Sequence, residues 1–99
     1  MTSQADFHHS LAGPAPPAGL SLALQGLWWD AKGDWQQAHR CAQDQDDATG
    51  AAVHAFLHRS EGDLANAGYW YTRAGRAMPK ATLEQEWQAL VAELLPGPA

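Results

Sequence analysis

The chain has 99 residues, enough for one small domain, and its 11 acidic residues against six lysines and arginines give a formal net charge of −5. This acidic balance argues against nucleic acid as a partner, and no apolar run approaches the roughly 18 residues that a membrane-spanning helix needs. The single cysteine, Cys41, cannot form an intramolecular disulfide, and the first six residues lack the basic start of a signal peptide. We therefore expect a cytoplasmic protein that binds neither nucleic acid nor a membrane.

The N-terminal segment is predicted to be a flexible arm covering residues 1–18, outside a single folded domain of residues 19–95. Its run Gly-Pro-Ala-Pro-Pro at positions 13–17 lacks several backbone donors. Proline also disfavours helix in the residue before it. We expect this arm to be extended or mobile.

Two helical hairpins follow, and both contain the same turn. The pair Gly33-Asp34 returns 29 positions later as Gly62-Asp63. Glycine ends the helix before it, and aspartate is a good N-cap for the helix after it. Trp35 and Leu64, which follow the turns, should each pack on the preceding helix of their own pair. The predicted helices span residues 20–33, 34–44, 49–61 and 63–76.

A fifth helix is predicted after Pro79, where Thr82 and Gln85 can form a capping box. Apolar residues then recur at steps of three and four: Leu83, Trp87, Leu90, Val91 and Leu94. We expect this amphipathic helix to lie against the open end of the stack. The predicted fold is all-α, with two stacked antiparallel helical hairpins and a C-terminal capping helix.

The second hairpin resembles the tetratricopeptide repeat. Gly62 lies at the turn between its two helices. After it, the residues follow the order small, aromatic, small and proline that the motif has in its second helix and just beyond, at Ala67, Tyr71, Ala74 and Pro79. The first hairpin keeps part of the pattern, at Gly26, Trp29, Gly33 and Ala38. The strings at residues 26–35 and 53–59 are also similar to a group of short bacterial proteins of unknown function. The tetratricopeptide resemblance implies a protein or peptide partner in a groove lined by the first helix of each pair.

The first helix of the first hairpin is more apolar than a terminal repeat would leave exposed. Trp28 and Trp29 are adjacent and so point about 100° apart on a helix. Either both indoles are covered by neighbouring helices or by the arm, or one of them is exposed and anchors a partner. The same two interpretations apply to Tyr69. A second copy in a homodimer is another way to cover this surface. The candidate partner-binding residues are Leu20, Leu27, Trp28, Trp29 and Tyr69.

His54, His58 and Glu61 form a His-x3-His-x2-Glu row on one face of the third helix. Histidines four residues apart lie about 6 Å from each other and can share a metal ion. The alternative function is therefore a small metal- or ligand-binding protein that uses this row. Ala55, however, occupies the position at which a metalloprotease motif has its glutamate.

The favoured interpretation of the two histidines is a buried polar network. The repeat register places His54 and His58 at positions that pack against a second helix, where an imidazole needs a hydrogen-bond partner. Tyr71, Gln25, His39 or a carboxylate should supply it. Since the sequence contains no catalytic motif and implies no cofactor, we expect a protein-interaction or assembly module that is not an enzyme.

Overall fold

The computed structural model describes residues 2–95, and in that range it contains helices and no β-strand. The predicted all-α class is confirmed. No helix in this range is long and apolar enough to cross a membrane. The helices are α1 (Gln4–Ser10), α2 (Leu22–Ala31), α3 (Trp35–Asp44), α4 (Ala48–Ser60), α5 (Leu64–Ala74) and α6 (Leu83–Leu94).

The repeated Gly-Asp turn builds the two hairpins, α2–α3 and α4–α5, in the same way. Gly33 and Gly62 have φ angles of 83° and 86°, a left-handed conformation that favours glycine. The carboxylates of Asp34 and Asp63 accept a hydrogen bond from the backbone N–H three residues further on, at 3.1 and 3.2 Å. The chain therefore reverses at both turns, and the helices within each pair pack together.

Trp35 and Leu64 do not occupy equivalent places, contrary to the prediction. The indole Nε1 of Trp35 donates to the carbonyl oxygen of Leu57 on α4 at 3.0 Å, so this side chain reaches the next hairpin. Leu64 is 57% exposed. The reason is positional, because α3 has a following hairpin to pack on, whereas the described residues contain no third hairpin to cover α5.

Helix α4 is the centre of the fold and contacts α2, α3, α5 and α6. Every residue from 50 to 58 is buried. At the start of α4 the chain passes so close to the preceding turn that a Cβ on Gly50 would lie 1.8 Å from the carbonyl oxygen of Gln45. This approach is possible only because the residue is glycine.

The N-terminal segment is not an unpacked arm, contrary to the prediction for residues 1–18. It contains α1, which begins with a capping box between Ser3 and Asp6. Phe7 on α1 is fully buried in the main core. The prolines that suggested an extended chain lie at positions 14–17, after α1 has ended.

This segment covers the first hairpin from within the same chain. The indole Nε1 of Trp28 donates to the hydroxyl oxygen of Ser10 at 2.9 Å. The ammonium group of Lys32 donates to the carbonyl oxygen of Leu11 at 2.7 Å. The apolar first helix is thus shielded without a second copy.

Helix α6 begins with the predicted capping box between Thr82 and Gln85, at 3.0 and 3.1 Å. Its indole donor, Trp87 Nε1, bonds to the carbonyl oxygen of Leu27 on α2 at 2.8 Å. The helix contacts both α2 and α4. It therefore lies across the first helices of both hairpins, and not only against the end of the stack as we expected.

A buried carboxylate ties α6 to the second hairpin. Glu86 is 7% exposed. It accepts hydrogen bonds from the guanidinium of Arg59 at 2.8 Å and from the hydroxyl of Tyr71 at 2.5 Å. The same guanidinium also donates to the carbonyl oxygen of Ala81. These bonds give the buried charge its partners and fix the position of α6.

Candidate functional site

A groove runs between α3 and α5, since both pack on α4 without packing closely on each other. His54 and His58 of α4 form its floor. Trp35 and His39 of α3 form one wall, and Trp70 of α5 contributes to the other. We call this region the α3–α5 groove, and it lies on the opposite side of α4 from α6.

Three imidazoles meet in the α3–α5 groove. The ring centroid of His39 lies 4.4 Å from that of His54 and 5.4 Å from that of His58. The rings of His54 and His58 are stacked at 4.9 Å. One nitrogen from each of the three rings lies within 4.8 Å of the other two. His54 and His58 are 4% and 9% exposed, and His39 is half-buried.

Two tryptophans hold these rings in place. The indole of Trp35 stacks on His39 with centroids 4.9 Å apart and planes 19° from parallel. The indole of Trp70 stacks on His54 at 3.8 Å and 16°. Because stacking and the Trp35 hydrogen bond to α4 restrict ring rotation, the cluster is organised in advance of any ligand.

Glu61 contacts only one end of the predicted histidine row. Its Oε1 lies 2.9 Å from Nδ1 of His58, which confirms that a carboxylate partners this imidazole. Glu61 groups with His58 and Asp63, while His39 takes its place beside His54 and His58. Glu61 is the C-cap of α4, one residue beyond its end.

The other suggested partners of the imidazoles bond elsewhere. The hydroxyl of Tyr71 donates to Glu86, and the amide of Gln25 donates to the carbonyl oxygen of Leu20. His39, which sequence reasoning named only as a hydrogen-bond partner, is instead the third imidazole of the cluster. Its spacing to Trp35 was visible in the sequence, but its approach to α4 depends on how two helices cross.

The electrostatics of the groove keep two of its imidazoles neutral. Burial, followed by the charges of His39 and His58, lowers the pKa of His54 to about 4. Burial and the neighbouring His58 also lower the pKa of His39, partly opposed by Glu61. Near neutral pH both rings therefore present a lone pair that can accept a hydrogen bond or ligate a metal ion.

The α5 wall carries exposed aromatic and cationic groups. Tyr69 is 54% exposed, and its hydroxyl accepts a hydrogen bond from Arg73 at 3.1 Å. The guanidinium carbon of Arg73 lies 5.8 Å from the ring centroid of Tyr69 and 5.2 Å from that of Trp70. The four-residue spacing of Tyr69 and Arg73 was the signal that sequence analysis did not use.

A pocket opens at one end of the α3–α5 groove. It has a volume of about 260 Å³. The residues that line it include His54 and Trp70 together with Arg73, Asp46 and Asp47. The pocket therefore joins the imidazole cluster to charged groups of both signs.

The predicted partner-binding residues differ sharply in exposure. Leu27 and Trp28 are fully buried, so neither offers a surface to a partner, and this part of the prediction is wrong. Leu20 and Trp29 are half-buried against the core. Of the set, Tyr69 alone is largely exposed. Ser10 of the N-terminal segment bonds to Trp28, and Trp87 of α6 bonds to the backbone of Leu27.

No protein-family model, no curated protein and no solved structure matches the chain. The likeness to the tetratricopeptide repeat therefore stays a prediction from the residues that carry it.

Proposed function

We propose that the chain is a protein-interaction or assembly module without catalysis of its own, and that a helix of a partner protein docks along α5. The observation that supports it best is that Tyr69 and Arg73 are exposed beside the half-buried Trp70, on a helix that no later hairpin covers in the described residues. The single cysteine cannot form an intramolecular disulfide, which is consistent with a cytoplasmic location.

The groove implied by the tetratricopeptide resemblance is not the docking site in this proposal. That groove would be lined by α2 and α4, the first helices of the two hairpins. Helix α6 lies against both of them, with Trp87 bonded to α2 and Glu86 bonded to α4. A peptide could enter only by displacing a helix whose apolar side belongs to the main core.

The exposed side of α5 fits a helical partner. Leu64 and Tyr69 are 57% and 54% exposed. Gly68 lies between them, and a Cβ at this position would meet no atom within 4 Å, so the surface is open. Small residues on a helix let a second helix approach closely, and stacked repeats use this side of a hairpin for the next one.

The partner helix should combine an apolar residue with a carboxylate. Tyrosine, tryptophan and arginine are the residue types that most often dominate binding energy at interfaces. The guanidinium of Arg73 has several donors besides the one bonded to Tyr69. A carboxylate on the partner can pair with these donors while its apolar neighbour packs on the tyrosine ring.

The test is site-specific photocrosslinking followed by affinity measurement. A photoreactive phenylalanine at Thr72, which is exposed on α5, should cross-link one predominant partner in source cells. The purified partner should then bind Tyr69→Ala at least about tenfold more weakly than the unsubstituted chain.

Leu22 provides the matched control, because it is 37% exposed but lies on α2. A photoreactive residue there should not capture the same partner, and Leu22→Ala should leave the affinity unchanged. Equal capture at both positions, or an affinity insensitive to Tyr69→Ala, would refute docking on α5. If the chain instead forms a homodimer that Tyr69→Ala dissociates, the partner is a second copy of this chain.

A further inference from the structure

We propose that His39, His54 and His58 together bind one divalent transition-metal ion of the zinc class. This proposal goes beyond the interaction surface on α5, because it requires no partner protein. It also differs from the row suggested by the sequence, since His39 of α3 replaces Glu61 as the third ligand.

The geometry of the three nitrogens carries the proposal. A tetrahedral ion bound at 2.0–2.1 Å places its nitrogen ligands about 3.3 Å apart. One nitrogen of each imidazole already lies within 4.8 Å of the other two. Side-chain rotations that shorten these separations by about 1.5 Å or less are enough to complete the set. Imidazole suits zinc, cobalt, nickel and copper better than calcium or magnesium.

The contact between His58 and Glu61 is of the kind that orients a metal-bound histidine. Metal-bound histidines usually donate their second ring N–H to a carboxylate or a carbonyl oxygen. Glu61 Oε1 lies 2.9 Å from Nδ1 of His58 and can accept that proton. This bond leaves Nε2 as the nitrogen that faces the ion, so Glu61 is a positioning residue for the site.

Stacking keeps the rings of the site close to this arrangement, and the site adjoins a pocket. Trp35 and Trp70 stack on His39 and His54, so two of the three ligands have restricted ring orientations. The pocket of about 260 Å³ adjoins His54. Three histidines with an accessible fourth position leave room for water or for one oxygen donor of a small anion. Arg73 lines the same pocket and can pair with the charge of that anion.

Two groups of acidic residues near the imidazole cluster are alternative binding sites for the ion, and substitutions distinguish them from the cluster. Glu61 and Asp63 form a second group with His58, and Asp46 and Asp47 lie beside the pocket. Asp46 and Asp47 offer only carboxylate oxygens, which favour magnesium, calcium or manganese, and the group of Glu61 and Asp63 contains a single imidazole, that of His58. A site that depends on His39 and His54 therefore distinguishes the imidazole cluster from either acidic group.

The experiment is titration of the metal-free full-length chain with Co²⁺, followed by displacement with Zn²⁺. Cobalt in a tetrahedral nitrogen site gives intense visible absorption, which reports coordination directly. We expect saturation at one equivalent and loss of the visible bands when one equivalent of Zn²⁺ is added. His39→Gln and His54→Gln should weaken Co²⁺ binding by more than the roughly 10–100-fold expected for Glu61→Gln.

His9→Gln is the matched control, because this histidine is exposed on α1, away from the groove. It should leave the cobalt spectrum unchanged, as should Tyr69→Ala on the partner surface. Circular dichroism of each metal-free variant shows whether it still folds, and His39 is the least buried of the three ligands. Absence of saturable binding, or binding that His39→Gln leaves intact in a folded chain, overturns the metal site. Neither result bears on partner docking, which is read by cross-linking and affinity.

Discussion

Tyr71 should contribute more to stability than any exposed aromatic residue of the same helix. Its side chain is 3% exposed, and its hydroxyl donates to the buried carboxylate of Glu86 at 2.5 Å. Tyr71→Phe removes that donor and leaves a buried carboxylate oxygen short of a partner, which should cost about 1–3 kcal/mol. Tyr71→Ala also opens a cavity and should cost about 3–5 kcal/mol in total. For a domain whose free energy of unfolding is about 5–15 kcal/mol, the second loss is large.

Urea denaturation followed by tryptophan fluorescence measures both variants, and unchanged slopes would show that the midpoints report stability. Tyr69→Ala is the control on the same helix. Because Tyr69 is 54% exposed, its loss should cost less than about 1 kcal/mol. If Tyr71→Ala and Tyr69→Ala shift the midpoint equally, the assigned register of α5 is wrong, and with it the link between α5 and α6.

Three further outcomes follow from the packing. Gly50→Ala should lower the free energy of unfolding by about 1–3 kcal/mol or more, because its Cβ would lie 1.8 Å from the carbonyl oxygen of Gln45. Gly68→Ala meets open space and should not be destabilising in this way. Phe7→Ala should cost about 3–5 kcal/mol in the same assay if α1 is docked, and an unchanged midpoint would mean that it is not. The metal-free chain should lose stability as pH falls from 6.5 towards 4, because burial lowers the pKa of His54 to about 4 and the unfolded chain then binds the extra proton. That loss should approach about 3 kcal/mol at most and should shrink in His54→Gln, as measured by thermal midpoints across this pH range.

Helices α2 to α6 were predictable because the signals that start and end them are local. A glycine in the left-handed conformation followed by an aspartate N-cap accounts for both Gly-Asp turns. Thr82 and Gln85 mark the start of α6 in the same way. Helix α1 was missed although Ser3 and Asp6 carried a capping signal, because the prolines that follow it dominated the interpretation of the whole segment.

The candidate site was only half predictable. His54 and His58 share a helix, so their four-residue spacing fixes their proximity before any tertiary structure is known. His39 joins them because α3 packs on α4 at a particular crossing and depth, and no spacing along the chain encodes that relation. The burial of Trp28 likewise depends on α1, a helix the sequence analysis did not foresee.

The meeting of imidazoles from α3 and α4 is the feature on which the site depends, and it is measured most directly by nuclear Overhauser effects in the metal-free chain. The ring centroids of His39 and His54 are 4.4 Å apart, and those of Trp70 and His54 are 3.8 Å apart. Strong cross-peaks from the ring protons of His54 to those of both His39 and Trp70 are the predicted result. Their absence in a folded chain would contradict the packing of α3 and α5 around α4 and remove the basis for the site.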